Sequence, residues 1–420
     1  MSMAGIGYKV IISGAIKGCQ LLLGVGSSLL LARWLGASGY GAYSFAFVLA
    51  SLLAIPAQLG WPSLLTREVA RLGPADLAQL AGALRTSFRW VSWSSLAMVV
   101  ACLGIGYAIS GKLAGQDAST LYLASALVPL TAWIGIRAAA LRGLEHVLQA
   151  QLLDGILRPA LFLLILAFLI GRHLSPATAM FAQVLATFVA FTVGTVVLVL
   201  VLPSGIRRIP PDAHRAAEWR RSMYPFMLVS AAQVLTTQAD LFALGLVSDA
   251  SEVGIYKVAT MVGTQVGFAV WLVNAVFAPR IVKLHRHGQH EELQALLSKG
   301  VRFALIVAAP AAACIVAFGR PALEIALGEQ FGPAYWPMVI IALGQLIGVS
   351  AGPVGMLLGM TGHERGVARI LTLCGLSSVV LTLVLASKYG PFGAAIAASA
   401  SLILSRVMLR ALATRVLRRS

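Results

Sequence analysis

Apolar residues run along this chain in twelve long blocks separated by short polar connections, at roughly 8–32, 40–59, 86–108, 119–140, 148–170, 175–202, 223–247, 254–277, 300–319, 333–360, 367–387 and 391–414. Each is about as long as the ~20 residues an α-helix needs to cross a hydrocarbon core of ~30 Å. The blocks are continuous rather than alternating, which argues against a transmembrane β-barrel. They predict an all-α polytopic membrane protein with twelve transmembrane helices. The first block reads as a span rather than a cleaved signal, because its apolar region is too long and Lys17 interrupts it. Pro56, Pro129, Pro310 and Pro353 fall inside spans two, four, nine and ten, where a missing N–H bends a helix and frees a carbonyl. Gly14-x-x-x-Gly18 in span one is the small-residue spacing that lets two helices approach closely.

The polar connections differ sharply from one side to the other. In and beside the N-terminus, the even-to-odd connections and the C-terminus lie 25 of the 32 Lys and Arg, including Arg67, Arg71, Arg137, Arg142, Arg158 and the C-terminal Arg415, Arg418 and Arg419. The opposite connections hold Arg33, Lys112, Arg172, Arg320 and Lys388. Positive charge marks the cytoplasmic side, so both termini are expected there.

Composition agrees with the pattern. The chain is 59% hydrophobic and 11% charged, against ~25% charged residues in an ordinary soluble domain, and its mean hydropathy is +0.87. A net charge of +17 would suggest nucleic acid in a soluble protein. Here the basic residues are spread over many connections without interleaved aromatics, which fits orientation and anionic headgroups better. Cys19, Cys102, Cys314 and Cys374 all lie within spans and form no CxxC pair, so they imply neither a disulfide framework nor a metal site.

The longest polar connection, Pro203–Ser222, carries three prolines and five arginines and divides six spans from six. It reads as a basic cytoplasmic linker (203–222) between an N-terminal lobe (1–202) and a C-terminal lobe (223–420). The halves also look like copies. Gly41, Tyr43 and Ala46 recur 213 residues later as Gly254, Tyr256 and Ala259, Gln20 as Gln233, and Arg67 as Arg280, while the amphipathic stretch Asp76–Leu84 resembles Glu291–Leu297. One offset held across spans and loops signals duplication. With an even number of spans per copy, the lobes would be related by a pseudo-two-fold axis along the membrane normal.

An ionisable group at membrane depth costs ~3 kcal/mol on insertion scales and normally faces protein or water. Lys17 lies in span one with Gln20 one turn on, sharing its face. Asp240 lies in span seven near Gln233 and Gln238, and Lys257 opens span eight, followed by Gln265 and Asn274. Lys257 either faces a cavity or snorkels to the outer interface. Asp240 either pairs with a lysine or couples to a cation. Three charges in spans one, seven and eight would leave a central cavity positive by one, suited to an anionic substrate. Enzyme chemistry is not indicated: His285, His287 and His290 have no carboxylates at ligand spacing, and no glycine-rich segment has the strand–turn–helix context of a phosphate loop. Neither a cofactor nor a metal is expected.

At Leu30–Arg71, the chain resembles the polysaccharide-exporter branch of the multidrug/oligosaccharidyl-lipid/polysaccharide superfamily, through Leu35-Gly36, Gly41 and Tyr43, Gly60, and Arg67-Glu68. The second half resembles it again in Asp240, Glu252–Tyr256, Pro279 and Phe331–Tyr335. The resemblance implies two six-helix lobes in a V around a central cavity. It also implies a flippase moving undecaprenyl-pyrophosphate-linked oligosaccharide across the bacterial inner membrane by alternating access, for O-antigen or exopolysaccharide. On that reading Lys17, Gln20, Gln233, Lys257, Gln265 and Asn274 line the substrate cavity, and Asp240 couples to H+ or Na+ or gates the lobes. The partners would be the glycolipid, the bilayer, and a polysaccharide polymerase with glycosyltransferases. Two other readings stand beside it: a cation-coupled exporter of small organic molecules, and a non-transporting membrane scaffold for glycan assembly. The charge pattern makes a direct prediction. Alkaline phosphatase fused after Ser420 or within 203–222 should be inactive and a fluorescent protein there bright; active phosphatase at either place overturns the orientation.

Overall fold

The computed structural model describes residues 3–72, 76–110, 118–169, 171, 174–203, 206, 216–271, 273, 277, 281, 284, 289–352, 354–360 and 364–417, all in helices and their connections. Contacts divide the chain into two compact units. One comprises residues 1–35 and 42–234, the other residues 36–41 and 235–420.

The first unit begins with α1 (Met3–Gln58), a helix of 56 residues broken at Gly36, whose φ of 66° and ψ of −179° are non-helical. That break separates the first two apolar blocks. α2 (Trp61–Leu72) is short and amphipathic, burying Trp61, Leu64, Leu65, Glu68 and Val69. α3 (Leu77–Ser110) starts where Asp76 Oδ1 accepts the Gln79 N–H at 3.0 Å, satisfying a donor that a helix start leaves unpaired. α4 (Ala118–Ser125) and α5 (Leu127–Gly143) together fill the fourth block. α6 (Val147–Leu152), a π turn (Leu153–Leu157) and α7 (Arg158–Phe168) fill the fifth. α8 (Pro176–Val201) opens on a capping box: Thr178 N–H donates to Ser175 Oγ at 3.2 Å and Ser175 N–H to Thr178 Oγ1 at 2.8 Å. α2 and α5, and α7 and α8, are packed pairs within this unit.

α9 (Ala216–Val247) ends in the second unit. α10 (Ala250–Gly263) is capped by Asp249, whose Oδ1 accepts the Glu252 N–H at 2.8 Å. α11 (His290–Leu327) carries Pro310 and Pro321, and α12 (Tyr335–Ser350), α13 (Val354–Met360) and α14 (Glu364–Leu417) complete the unit. α14 is broken at Gly390 (φ 53°, ψ −136°), again between two apolar blocks. α12 packs against α10, α11 and α14, and small side chains dominate the seam: Ala269, Ala304, Ala308, Ala312 and Ala342 are buried there with Val266, Val273 and Val349. Among the described residues nine helical stretches are long and apolar enough to cross a membrane, and two of them, at 47 and 50 residues, contain the broken glycines.

The closest backbone approach is not at Gly14 and Gly18. A Cβ added to either would meet nothing within 4 Å among the described residues. The close approach falls in the second unit, at Gly41 and Gly254. A Cβ on Gly41 would sit 1.6 Å from the Ala250 carbonyl oxygen, and one on Gly254 would sit 2.0 Å from that of Ala37. These contacts are counterparts of each other at the 213-residue offset. Pro353 lies outside the described residues.

Gly60 follows Leu59 (φ 52°) in a turn with φ +74°, and a Cβ there would lie 2.6 Å from the Met227 nitrogen. Gly60→Ala should therefore lower the stability of the purified protein by about 2–4 kcal/mol. Gly104→Ala, in open space within α3, should leave it unchanged or raise it by up to ~1 kcal/mol. Equal melting temperatures in detergent for the two variants would contradict this.

Candidate functional site: two polar clusters within the helices

In the first unit α1 presents Lys17, exposed, with its Nζ donating to Gln20 Oε1 at 3.0 Å. The i, i+3 spacing brings the two onto one face, as the sequence predicts. Gln20 lies against Gly155 in the π turn, whose ideal Cβ would be 3.3 Å from Gln20 Oε1.

The preceding residue, Asp154, forms an ion pair with Arg137 of α5. Arg137 is fully buried, at 0% exposure. Its Nη1 also donates to the carbonyls of Ala190 at 2.9 Å and Phe191 at 3.4 Å on α8. Gly194 makes room for it, since a Cβ there would lie 2.0 Å from Nη1. Arg137 thus joins α5, the π turn and α8 through one guanidinium, using the planar fork that suits a carboxylate and carbonyls together. Elsewhere in this unit Tyr43 Oη donates to Gln183 Oε1 at 3.2 Å, and the Tyr43 ring stacks on Phe162 with centroids 6.5 Å apart.

In the second unit Asp240 accepts the Tyr256 hydroxyl at 2.6 Å through Oδ2 and the Leu241 N–H at 2.8 Å through Oδ1. Lys257, next to Tyr256, is half-buried and interacts electrostatically with Asp240. Tyr256 is the counterpart of Tyr43 at the repeat offset, and both spend their hydroxyls on a side chain of another span. Gln265 turns back on its own helix, with Nε2 donating to the Met261 carbonyl at 2.8 Å. The structure therefore brings together Lys17 with Gln20, and Asp240 with Tyr256 and Lys257. Asn274 and the side chain of Gln233 lie outside the described residues, as do the side chains of His285, His287 and His290.

Residues 6–285 match the model of a family described as polysaccharide biosynthesis protein. The chain belongs to that family. It is 22% identical over 414 residues to the probable low-salt glycan biosynthesis flippase Agl15 of Haloferax volcanii, covering 97% of this chain and 83% of that protein. Among solved structures, an inward-facing multidrug resistance MATE family transporter of the MOP superfamily superposes with a TM-score of 0.75 at 13% identity, covering 98% of both chains. The lipid II flippase MurJ in an inward closed conformation superposes with a TM-score of 0.74 at 14% identity, covering 95% of this chain and 86% of that one. At such identities the likeness is one of fold.

In this member of the polysaccharide biosynthesis protein family, the residues that sequence reasoning missed are Arg137 and Asp154. Arg137 reads along the chain as one of the topological charges, but the structure encloses it. The available signal was Asp154, a lone carboxylate six residues into the fifth apolar block, with an arginine near the end of the fourth. Breaking such a pair from one side leaves a buried charge and costs about 3 kcal/mol or more, whereas replacing both partners by apolar groups is often neutral. Asp154→Leu should therefore lower thermal stability strongly, and Arg137→Met/Asp154→Leu should recover most of the loss. Additive losses in the double variant would refute the coupling.

Proposed function

We propose that this protein is a flippase for a lipid-linked oligosaccharide. The observation that carries the reading is its membership of a polysaccharide biosynthesis family on an all-helical membrane fold, with an exposed ammonium set on a buried polar network. The finer assignment is what the resemblance to the polysaccharide-exporter branch implies, and the charges are consistent with it. The substrate is an undecaprenyl-pyrophosphate glycan for O-antigen or exopolysaccharide, moved across the bacterial inner membrane by twelve helices in two six-helix lobes (1–202 and 223–420, joined by 203–222), with both termini cytoplasmic. Lys17 and Lys257 engage the diphosphate; Gln20, Gln233, Gln265 and Asn274 meet sugar hydroxyls. Asp240, tied to Tyr256 and beside Lys257, couples transport to H+ or Na+ or gates it. A ligand shifts such an equilibrium only by binding the two states unequally, so each of these groups should act in one state more than the other. Supply of the glycolipid by glycosyltransferases and its consumption by a polymerase complete the proposed setting.

The test is a chromosomal Lys17→Ala variant, with membrane abundance confirmed by blotting and surface glycan quantified. A charge-assisted contact to the diphosphate is worth ~1.5–3 kcal/mol, so flux should fall at least about tenfold. Glycan at the parental level would remove Lys17 from the substrate path. Intact glycan with altered drug resistance on deletion of the gene would favour the exporter reading instead.

A further inference from the structure

The π turn at Leu153–Leu157 has two neighbours on two sides. Asp154 faces the buried Arg137, which is fixed in turn by the Ala190 and Phe191 carbonyls of α8. Gly155, the next residue and itself buried, faces α1. There a Cβ would lie 3.3 Å from Gln20 Oε1, a little tighter than ordinary van der Waals contact, and 3.4 Å from its Cδ. Gln20 Oε1 is also the atom that accepts the Lys17 ammonium at 3.0 Å. A single line of contacts therefore runs from a fully enclosed guanidinium, through two adjacent residues of a π turn, to an exposed amine on another helix. π turns are uncommon and concentrate at functional sites, and this one occupies the step where the line changes direction.

We propose that Gly155 and the Asp154–Arg137 pair are positioning residues for Lys17: the ion pair fixes the π turn, the bare backbone of Gly155 seats the Gln20 amide, and that amide holds the Lys17 ammonium in place. This rests on the reading of Lys17 as the group that meets the anionic head of the glycolipid. Two features make the arrangement a device for orienting a charge. First, Gln20 has a flexible side chain, and the Oε1 that accepts the Lys17 ammonium is also its atom nearest the Gly155 Cβ position, so a side chain at 155 would displace the acceptor itself. Second, Asp154 and Gly155 are one residue apart, so any rotation of the turn that loosens Arg137 also moves the seat of Gln20.

The positioning is read without transport. The full-length protein, purified in detergent, is treated with acetic anhydride at fixed pH, and acetylation of Lys17 is measured by mass spectrometry relative to the exposed Lys388. An amine whose hydrogen bond must be released before it reacts is slowed about fivefold if that bond is worth ~1 kcal/mol. Gln20→Leu should raise the Lys17/Lys388 ratio by that factor. Gly155→Ala should raise it less and Gly155→Val to the full extent, with Gly104→Ala leaving it unchanged. Asp154→Asn, which adds no bulk and removes the charge that holds Arg137, should also raise it, and carries the expectation if Gly155→Val does not accumulate. An unchanged ratio in Gln20→Leu, or a raised ratio there with no change in the Gly155 and Asp154 variants, overturns the proposal. Surface-glycan measurement on the same variants separates the two levels. Altered acetylation with Lys17→Ala at parental glycan keeps the positioning and sinks the substrate role of Lys17; altered acetylation with glycan lost in step supports both.

Discussion

Hydrocarbon gives a polar group no partner, and the described helices supply many of those partners from within. Helices answer for nearly all of the backbone. Among the described residues, several further groups are met one at a time. Asp76, Ser175 and Asp249 accept N–H groups at helix starts, and Tyr335 Oη donates to the Val316 carbonyl. Ser399 does the same for Ile340, and Ser401 for Cys374. Arg137 is the largest instance, because a fully enclosed guanidinium must find several acceptors at once. Its carboxylate and its two α8 carbonyls come from elements far apart in sequence, which is why the first unit needs α5, the π turn and α8 in one fixed relation.

The same constraint explains the residues that carry the family resemblance. Gly36 supplies a positive-φ break, and a Cβ there would press on Gln330, whose Oε1 accepts the Ala37 N–H at 3.3 Å. Gly60 supplies the next turn. Glu68 is buried on α2 and receives Arg71 at 2.9 Å and Arg67 at 3.4 Å, while the Arg67 guanidinium lies over the Phe226 ring at 5.4 Å. Tyr43 and Tyr256 tie helices by their hydroxyls. These are requirements of backbone shape and polar satisfaction. A sequence pattern made of them speaks for a fold and its family, and says little about which molecule is handled.

Much of the architecture was legible because hydropathy accumulates over twenty residues and turns are announced by glycine. The breaks at Gly36 and Gly390 fall between the apolar blocks that the sequence separates. The Lys17–Gln20 contact was legible because helical spacing alone creates it. Arg137 and Asp154 were not, because a charge near the end of an apolar block looks the same in one dimension whether it meets water or a carboxylate seventeen residues on. Nor was the true close approach: Gly14 and Gly18 have the familiar spacing, yet the tight contact belongs to Gly41 and Gly254, which depend on a distant stretch of chain.

At that crossing of Gly41 with Ala250 and of Gly254 with Ala37, backbone meets backbone with no side chain between. Every single-nucleotide missense change in a glycine codon introduces at least a β-carbon, and neither position has space for one. Any such change must therefore push the two backbone segments apart. Trimming a neighbouring side chain does not remove the obstruction, because the obstructing atoms are carbonyl oxygens common to all twenty amino acids.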